Sequence, residues 1–340
     1  MQALIFNSPN NLSVAEHPVS TIGENELLIK VGACGVCGTD FHIYKGEAPA
    51  KAPVIIGHEY AGEVIDAGRA CSGVKIGDRV AINPNIHCGY CQFCRKGKIN
   101  LCENLKALGV TINGGIAEYS VVPAAQAHLL PKNFSFETAS FAEPLSCCIH
   151  GIDQAGIKLN DSVIIVGAGT IGLIITQLAL LKGASKVIVV DISNEKLHLA
   201  QKLNAHYTFN VKEEGSEEKI LDLTSGGADI VIECAGNSSA VKTSFKLVKK
   251  GGTIVVFGLA DSKDFFPLYL QSFFHKELRI KSSLLNPFTF QTAVDLLVSN
   301  HINVDLFKTS RLKLEQHQIN KLFNEPRDNS IIKYLVIPNN

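Results

Sequence analysis

The sequence of 340 residues predicts an α/β protein, with a β-rich N-terminal region and a doubly wound parallel sheet further along the chain. In the first 145 or so residues, apolar segments such as Glu26–Val31 and Glu63–Ala67 are short and are separated by Gly and Pro, which is typical of strands. From about residue 160, strand-like apolar runs alternate with helical segments, which indicates a parallel sheet covered by helices on both faces.

The elements of the second region are predicted in a regular order. Val163–Val166 and Lys186–Asp191 have the composition of buried strands, and segment 170–182 between them, apolar on nearly every face, is expected to be a helix packed against the sheet. A further helix is expected over Glu195–Asn204, with Ser or Asn as its N-cap. The remaining predicted elements are the strands Ala228–Glu233, Thr253–Phe257 and Ile331–Ile337 and helices near 238–249 and 289–299.

Composition limits the classes of function. Apolar residues make up 46% and charged residues 19%, which permits a large core and argues against disorder. Lys and Arg number 32, as do Asp and Glu, so net charge gives no reason to expect binding to nucleic acid or an anionic membrane. We expect no membrane span, because the uncharged stretch Val163–Leu181 contains several glycines and polar residues. The N-terminal residues lack the features of a signal peptide, and we expect a cytoplasmic protein.

The first set of chemistry-bearing residues is a cluster of cysteines with the spacing Cys-x2-Cys-x2-Cys-x7-Cys. Four thiolates suit a tetrahedral zinc ion and leave no open position, so such a site stabilises a loop and performs no chemistry. An iron–sulfur cluster and a local disulfide pair are the alternatives. The predicted ligands of this structural zinc are Cys88, Cys91, Cys94 and Cys102.

A second, sparser set consists of Cys37, His58 and Glu143. A thiolate, an imidazole and a carboxylate provide three protein ligands and leave a fourth position open, which is the pattern of a catalytic zinc. Spacing alone does not establish this site, since a single cysteine is usually a small buried apolar residue and a single histidine a satisfied polar group.

Two motifs resemble those of the medium-chain dehydrogenase/reductase superfamily: Gly57-His58-Glu59-x2-Gly62-x5-Gly68, and the loop from Cys34 to His42. The resemblance covers essentially the whole chain. It implies a GroES-like catalytic domain formed by residues 1–148 and 284–340, with a structural zinc lobe at about 85–105. It also implies a Rossmann domain at 149–283, which binds the dinucleotide, and an active site in the cleft between domains.

Within that superfamily the chain looks most like the polyol (sorbitol-type) dehydrogenases, because Glu143-Pro144-Leu145-Ser146 supplies a carboxylate where classical alcohol dehydrogenases have a cysteine. The resemblance implies that Glu143 is the resting zinc ligand. Glu59 is the second candidate, because some relatives use the glutamate that follows the histidine.

The nucleotide site is predicted from Gly167, Gly169 and Gly172, which form a G-x-G-x-x-G motif between a strand and a helix. Asp191 ends the next strand, at about the 20-residue separation typical of the acidic residue that binds the ribose. Its carboxylate would repel a 2′-phosphate, so we expect NAD rather than NADP. By resemblance, Ile171 and Lys196 also border the adenosine.

The resemblance further implies hydride transfer between a secondary alcohol and the nicotinamide, with Thr39 and His42 as a proton relay. The substrate is expected to be a polyol, free or phosphorylated. The segment Ser282–Pro287, however, lacks the arginine that polyol relatives often carry there. An L-threonine 3-dehydrogenase or a butanediol-type dehydrogenase is the alternative, and a non-catalytic member of the superfamily is a remote one. Relatives are commonly tetramers or dimers, so we expect a homo-oligomer.

Overall fold

The computed structural model of the protein describes residues 1–339, which divide into two compact units. Unit 1 contains Met1–Ser146 and Leu285–Asn340, and unit 2 contains Cys147–Leu284. Within residues 1–339 no helix is both long enough and apolar enough to cross a bilayer.

Strands predominate in unit 1, whereas strands and helices alternate in unit 2. The strands are β1 (Gln2–Ser8), β2 (Asn11–Glu16), β3 (Glu26–Val36), β4 (Val54–Ile55), β5 (Glu59–Ala67), β6 (Arg79–Ile82), β7 (Asn85–Ile86), β8 (Lys106–Ala107), β9 (Tyr119–Pro123), β10 (Ala127–Leu129), β11 (Ser162–Val166), β12 (Lys186–Asp191), β13 (Tyr207–Asn210), β14 (Ala228–Glu233), β15 (Val248–Val256), β16 (Arg279–Ser282), β17 (Thr309–Leu312) and β18 (Lys333–Val336). The α-helices are α1 (Gly38–Lys45), α2 (Phe136–Ala139), α3 (Ala142–Ala155), α4 (Thr170–Leu181), α5 (Asn194–Lys202), α6 (Ser216–Leu223), α7 (Ser238–Leu247), α8 (Leu270–Lys276), α9 (Phe290–Val298) and α10 (Gln316–Asn324).

Unit 1 is organised around the long strand β3, which pairs antiparallel with β5, β9 and β18. Its alternate residues Leu27, Ile29 and Val31 are fully buried, as expected when one face of a strand covers a core. The register places Gly35 opposite Glu59 on β5, and Val36 opposite Tyr334 on β18. The C-terminal end of β3 therefore lies beside the first residues of both partner strands.

Unit 2 contains a six-stranded parallel sheet in the order β13-β12-β11-β14-β15-β16. The chain runs outward from β11 in one direction and then returns to β14 on its other side. With the right-handed crossovers usual for parallel sheets, this order puts the connecting helices on opposite faces, and a crevice suited to a ligand is expected where the order reverses. The predicted α/β fold class, with its doubly wound parallel sheet, is confirmed.

Most predicted elements of unit 2 agree with the structure within a few residues, and β12 and β14 match their predictions at both ends. Prediction is weaker in unit 1, where the sequence shows little helical periodicity. The short helix α1 is not predicted, nor is the 14-residue helix α3, which begins in unit 1 and continues into unit 2, although both carry residues of the predicted site.

Candidate active site

Helix α1 begins at Cys37, the first predicted zinc ligand. Cys37 is the N-cap residue of the helix, and its backbone N–H donates to Asp40 Oδ2 at 2.8 Å. The Asp40 side chain is completely buried. A carboxylate at this position satisfies a free N–H of the first turn and favours the positive end of the helix dipole. This local arrangement fixes the backbone from which the Cys37 thiol projects.

His58 precedes β5 and follows Gly57, whose φ of 95° lies in the left-handed region. A side chain at Gly57 would also meet Ile116 Cγ1 at 2.4 Å and Cys34 Sγ at 2.8 Å. Only glycine therefore allows the turn that presents the buried imidazole of His58. The Nδ1 atom of His58 lies 3.6 Å from Asp40 Oδ1, so Asp40 faces both the thiol-bearing helix and the imidazole.

Glu59 forms a buried ion pair with Lys333, the first residue of β18. Both side chains are buried, and they meet because β5 and β18 flank the end of β3. At Gly35 on β3, a Cβ atom would lie 2.4 Å from Glu59 Oε2 and 2.8 Å from Lys333 Cε. The glycine thus leaves the space in which the pair forms.

The donor atoms of Cys37, His58 and Glu59 lie within 4.8 Å of one another, close enough for one metal ion. Glu143 is the second residue of α3, and it is buried and near enough to influence the protonation of His58 and Lys333. The structure thus groups Glu59 with the thiol and the imidazole, whereas Glu143 lies outside that 4.8 Å group but is close enough to act on His58 electrostatically. The choice of Glu143 over Glu59 as the resting ligand stays a prediction.

The electrostatics of this cluster favour a cation. Burial alone would lower the pKa of His58, but the charges of Asp40 and Cys37 outweigh it and raise that pKa well above its usual value. Burial likewise opposes the charge on Lys333, yet Glu59 and Cys37 raise its pKa. Burial raises the pKa of the Asp40 carboxyl. An environment that stabilises positive charge this strongly, with thiol, imidazole and carboxylate donors, fits Zn²⁺.

The four-cysteine cluster forms a second group whose donor atoms lie within 4.8 Å of one another. Its turns are made by Gly89 and Gly97, with φ of 79° and 73°. Burial acts to raise the pKa of Cys88, but backbone N–H groups, including that of Cys91, outweigh it and lower the pKa to about 6. At Cys88 these donors thus stabilise the thiolate, the form that binds metal, whereas burial raises the pKa of Cys94 to about 12. The described cysteines are all free, so the local disulfide alternative is absent from this structure.

The glycine-rich turn of unit 2 lies between β11 and α4. Gly167 has φ of 105°, and a Cβ at Gly172 would lie 1.8 Å from the Gly167 carbonyl oxygen. Gly169 is the N-cap of α4, and a Cβ there would meet nothing within 4 Å. The backbone amides at the start of the helix can therefore approach a pyrophosphate closely.

Asp191, at the end of β12, is held by this turn. Its Oδ2 accepts from the Ala168 N–H at 2.6 Å and its Oδ1 from the Ser193 N–H at 2.8 Å. Ser193 caps α5, where its Oγ accepts from the Lys196 N–H. Ile171 lies in the first turn of α4. The predicted nucleotide residues are thus gathered at the carboxyl end of β11 and β12.

Glu233 is a buried carboxylate beside the nucleotide half of unit 2 that sequence reasoning did not single out. It is fully buried at the end of β14, where its Oε1 accepts from the N–H groups of Ala235 and Gly236 at 2.7 Å each. Gly258, after β15, packs so closely that a Cβ would lie 2.8 Å from Glu233 Oε2. A buried carboxylate thus joins the two loops that follow β14 and β15. The residues next to Glu233 in the sequence, Cys234-Ala235-Gly236, give no indication that its side chain would join the two loops.

The two predicted relay residues lie on α1. Thr39 Oγ1 is 3.6 Å from Cys37 Sγ, and His42 Nδ1 is 2.7 Å from Glu47 Oε2. Tyr44, a possible pocket residue from the sequence, instead donates its hydroxyl to Asn324 Oδ1 at 2.6 Å. It thus packs toward α10, where its ring also contacts Phe323.

Comparison with known proteins gives concordant matches. Residues 23–132 match the family model for the alcohol dehydrogenase GroES-like domain, and residues 170–299 match that for zinc-binding dehydrogenases. The chain is 35% identical to D-arabinitol dehydrogenase 1 of Uromyces fabae, over 100% of this chain and 97% of that protein. It is 30% identical to a sorbitol dehydrogenase of Bacillus subtilis (strain 168), over 100% and 98%. A zinc-binding dehydrogenase of Sinorhizobium meliloti 1021, solved with NADP, superimposes with a TM-score of 0.93 at 38% identity, covering 99% of each chain.

Proposed function

The chain belongs to the zinc-dependent medium-chain dehydrogenases, and from this premise we propose that it oxidises a secondary alcohol of a polyol, reversibly, with a nicotinamide dinucleotide as hydride acceptor. The observation that carries the proposal is the group formed by the half-buried Cys37 and the buried His58 and Glu59, whose donor atoms lie within 4.8 Å of one another in surroundings that favour positive charge. Polyol substrates are supported by the similarity to D-arabinitol and sorbitol dehydrogenases.

Cys37 and His58 would hold the catalytic zinc, which when bound supplies a Lewis acid that makes a substrate hydroxyl more acidic. Asp40 anchors the Cys37 N–H and faces the His58 imidazole, so it would keep both ligands in place. The two ligands are thereby coupled, because one carboxylate contacts the separate elements that carry them.

We infer that Glu143 is the third ligand of the resting site, with Glu59 as the second candidate. The 4.8 Å grouping favours Glu59, but its carboxylate is already paired with the buried Lys333 ammonium. Moving Glu59 onto a metal would leave that ammonium without its partner, at a cost of about 3 kcal/mol or more. Glu143 contributes a carboxylate from a different element, the start of α3.

The proton released from the substrate hydroxyl would pass to Thr39 and then toward His42. Thr39 supports this assignment because its hydroxyl lies 3.6 Å from the Cys37 sulfur, at the proposed metal site. His42 is one helical turn further along α1, and residues three apart on a helix lie side by side. His42 is half-buried, so it could pass the proton outward.

We propose NAD as the preferred dinucleotide. The Asp191 carboxylate lies where the ribose hydroxyls are expected, and the next residue is the exposed, uncharged Ile192. The residue after Asp191 therefore offers no positively charged side chain that could bind a 2′-phosphate. The similar structure from Sinorhizobium meliloti contains NADP, so the preference needs a direct measurement.

The four-cysteine lobe would hold a second, structural zinc, for which the grouped donor atoms and the thiolate-stabilising N–H groups provide the support. A homo-oligomer is proposed as well. All four residues of the edge strand β16 are exposed, and unit 2 exposes Phe265, Tyr269 and Phe274. Edge strands and apolar patches of this kind are suited to pairing with a second copy, and light scattering after size exclusion would measure the mass.

We also propose a cytoplasmic location. It is supported by the free state of all ten cysteines, which suits a reducing compartment. Cell fractionation followed by detection of the protein would test it.

The proposed function is tested by following NADH absorbance with a panel of pentitols, hexitols, phosphorylated polyols, 2,3-butanediol and L-threonine. We expect polyols to give the highest kcat/KM and a zinc chelator to abolish turnover. Preference for threonine or for the diol would contradict the substrate assignment, and full activity after complete removal of zinc would contradict the mechanism.

A further inference from the structure

The side chain of Glu47 lies against His42 in a geometry that limits how the imidazole can act. The Nδ1 atom of His42 and Oε2 of Glu47 are 2.7 Å apart, and about one-fifth of each side chain is exposed. This is the distance of a charge-assisted hydrogen bond, and both groups are shielded enough for it to persist in solution.

The contact is built into the end of helix α1. Gly46, with φ of 77°, ends the helix in the left-handed conformation. The Glu47 N–H then donates to the His42 carbonyl at 2.8 Å, which brings Glu47 back over the last turn. Because Gly46 terminates the helix, the chain turns back at this point. The turn places the Glu47 carboxylate beside the ring of His42.

The C-terminal end of α1 is also held by the turn between β1 and β2. The Asn10 N–H, in the turn between β1 and β2, donates to the Tyr44 carbonyl at 2.7 Å. A side chain at Gly46 would lie 2.9 Å from Pro9 Cγ of that turn. Because the hairpin fits closely against the helix end, the backbone between His42 and Glu47 has little freedom to separate the two side chains.

An ionised carboxylate only accepts hydrogen bonds, so the bond to Glu47 requires a proton on His42 Nδ1. In the neutral imidazole this leaves Nε2 with its lone pair, as the one ring atom that can take up a proton. We propose that Glu47 is a positioning residue for proton release, which holds His42 in the Nδ1–H tautomer with Nε2 as the proton acceptor. The inference rests on the proposed function, in which His42 receives the proton that leaves the substrate hydroxyl.

The proton balance of this step is simple. The substrate loses a proton and a hydride, and the hydride goes to the nicotinamide. The proton reaches His42 Nε2, and the ring becomes an imidazolium whose positive charge lies beside the Glu47 carboxylate. Release of the proton from Nε2 to water restores the starting tautomer, so Glu47 itself never changes its protonation state.

The tautomer can be measured directly in the full-length protein. Ring ¹⁵N shifts and long-range ¹H–¹⁵N correlations of ¹⁵N-histidine-labelled protein in alkaline solution distinguish the two neutral forms, and the His42 signals are assigned by their loss in His42→Asn. We expect the Nδ1–H form in the wild type and in Glu47→Asp. In Glu47→Gln, whose amide can donate as well as accept, we expect the population to move toward Nε2–H.

Kinetics provide the second readout. Glu47→Gln should lower kcat for polyol oxidation about tenfold, with KM for NAD unchanged, and Glu47→Asp should recover most of the rate. Glu315→Gln is the matched control, because it removes a carboxylate that lies 3.5 Å from the exposed ring of His317. It should change neither the His42 signals nor kcat.

Two results would overturn the role of Glu47: an Nε2–H tautomer at His42 in the wild type, or a Glu47→Gln variant with wild-type kcat. The failure of the proposed function looks different. A His42→Asn variant with normal kcat would show that no relay passes through His42, whereas a slow His42→Asn beside a fast Glu47→Gln would reject the Glu47 role alone.

Discussion

The two candidate zinc sites of unit 1 are built in opposite ways. The four-cysteine lobe takes all its ligands from residues 88–102, and glycine turns and backbone N–H groups shape it locally. The proposed catalytic site takes Cys37 from the residue between β3 and α1, His58 from the residue before β5 and Glu143 from α3. A local site can be recognised by spacing, whereas a site assembled by a sheet depends on the register of strands that are distant in sequence.

The two candidate zinc sites also differ in how their charged side chains are stabilised. In the lobe, N–H donors on a short loop lower the pKa of Cys88 and Cys91. The catalytic cluster buries Asp40, Glu59 and Lys333 around the candidate ligands. Such a cluster is costly to bury, and its members are stable only together. We therefore expect changes in the lobe to affect mainly stability, changes of the candidate ligands Cys37 and His58 to affect mainly chemistry, and loss of one partner of the Glu59–Lys333 pair to lower stability.

The largest expected effect is that of Cys37→Ser. Loss of the thiolate should remove the catalytic metal and lower kcat/KM by about 10³-fold or more, since metal Lewis acidity contributes several kcal/mol to such reactions. NAD affinity, measured by calorimetry, should stay within about twofold of wild type, because the nucleotide residues belong to unit 2. Near-normal turnover in this variant would contradict the site assignment.

Cys94→Ser tests the other half of the comparison. Without its fourth thiolate the lobe should lose its metal, and Tm should fall by about 5 °C or more, because structural zinc binding contributes directly to folding stability. Activity of the folded protein measured well below Tm should remain within about threefold of wild type. A loss of turnover as deep as that of Cys37→Ser would show that the lobe takes part in the chemistry.

Features that depend on neighbouring residues in the chain could be predicted from the sequence. The four cysteines, the glycine-rich turn and the strand that ends in Asp191 are each specified by neighbours in the chain, and each lies where its pattern predicted. The helical content of unit 1 was underestimated because α1 is short and polar, with no periodicity to identify it.

The partners of the site residues could not be predicted. Lys333 meets Glu59 only because β18 returns along β3, a pairing of residues far apart in the chain. Asp40 could have been noticed as an acidic residue three positions after a helix start, but its approach to His58 depends on the three-dimensional arrangement. The buried Glu233 likewise depends on two loops that meet after separate strands.

Paired variants can decide whether Glu143 or Glu59 is the third ligand of the proposed catalytic zinc. Glu143→Gln should weaken zinc binding at the catalytic site by about 10–100-fold while Tm of the metal-free protein changes little. Glu59→Gln should lower the free energy of unfolding by about 3 kcal/mol, because it leaves the buried Lys333 ammonium without its carboxylate. The double change Glu59→Gln with Lys333→Met should recover part of that loss. Weaker zinc binding in Glu59→Gln than in Glu143→Gln would reverse the assignment.

A further expected effect, confined to unit 2, concerns dinucleotide choice. Asp191→Asn keeps an oxygen that can accept a backbone N–H and removes the negative charge, so the NAD/NADP ratio of kcat/KM should fall by about 10–100-fold. Asp191→Ala should lower the ratio too, and should also weaken NAD binding because the Ala168 and Ser193 N–H groups lose their acceptor. An unchanged ratio in both variants would place the ribose elsewhere.

The most direct test of two independent zinc sites is the zinc content per chain, measured by mass spectrometry on desalted wild type, Cys37→Ser and Cys94→Ser. We expect about two zinc ions in the wild type and about one in each variant, with turnover lost only in Cys37→Ser. A wild type with a single zinc, or a Cys37→Ser variant that retains both ions, would contradict the assignment of an open catalytic metal site to Cys37.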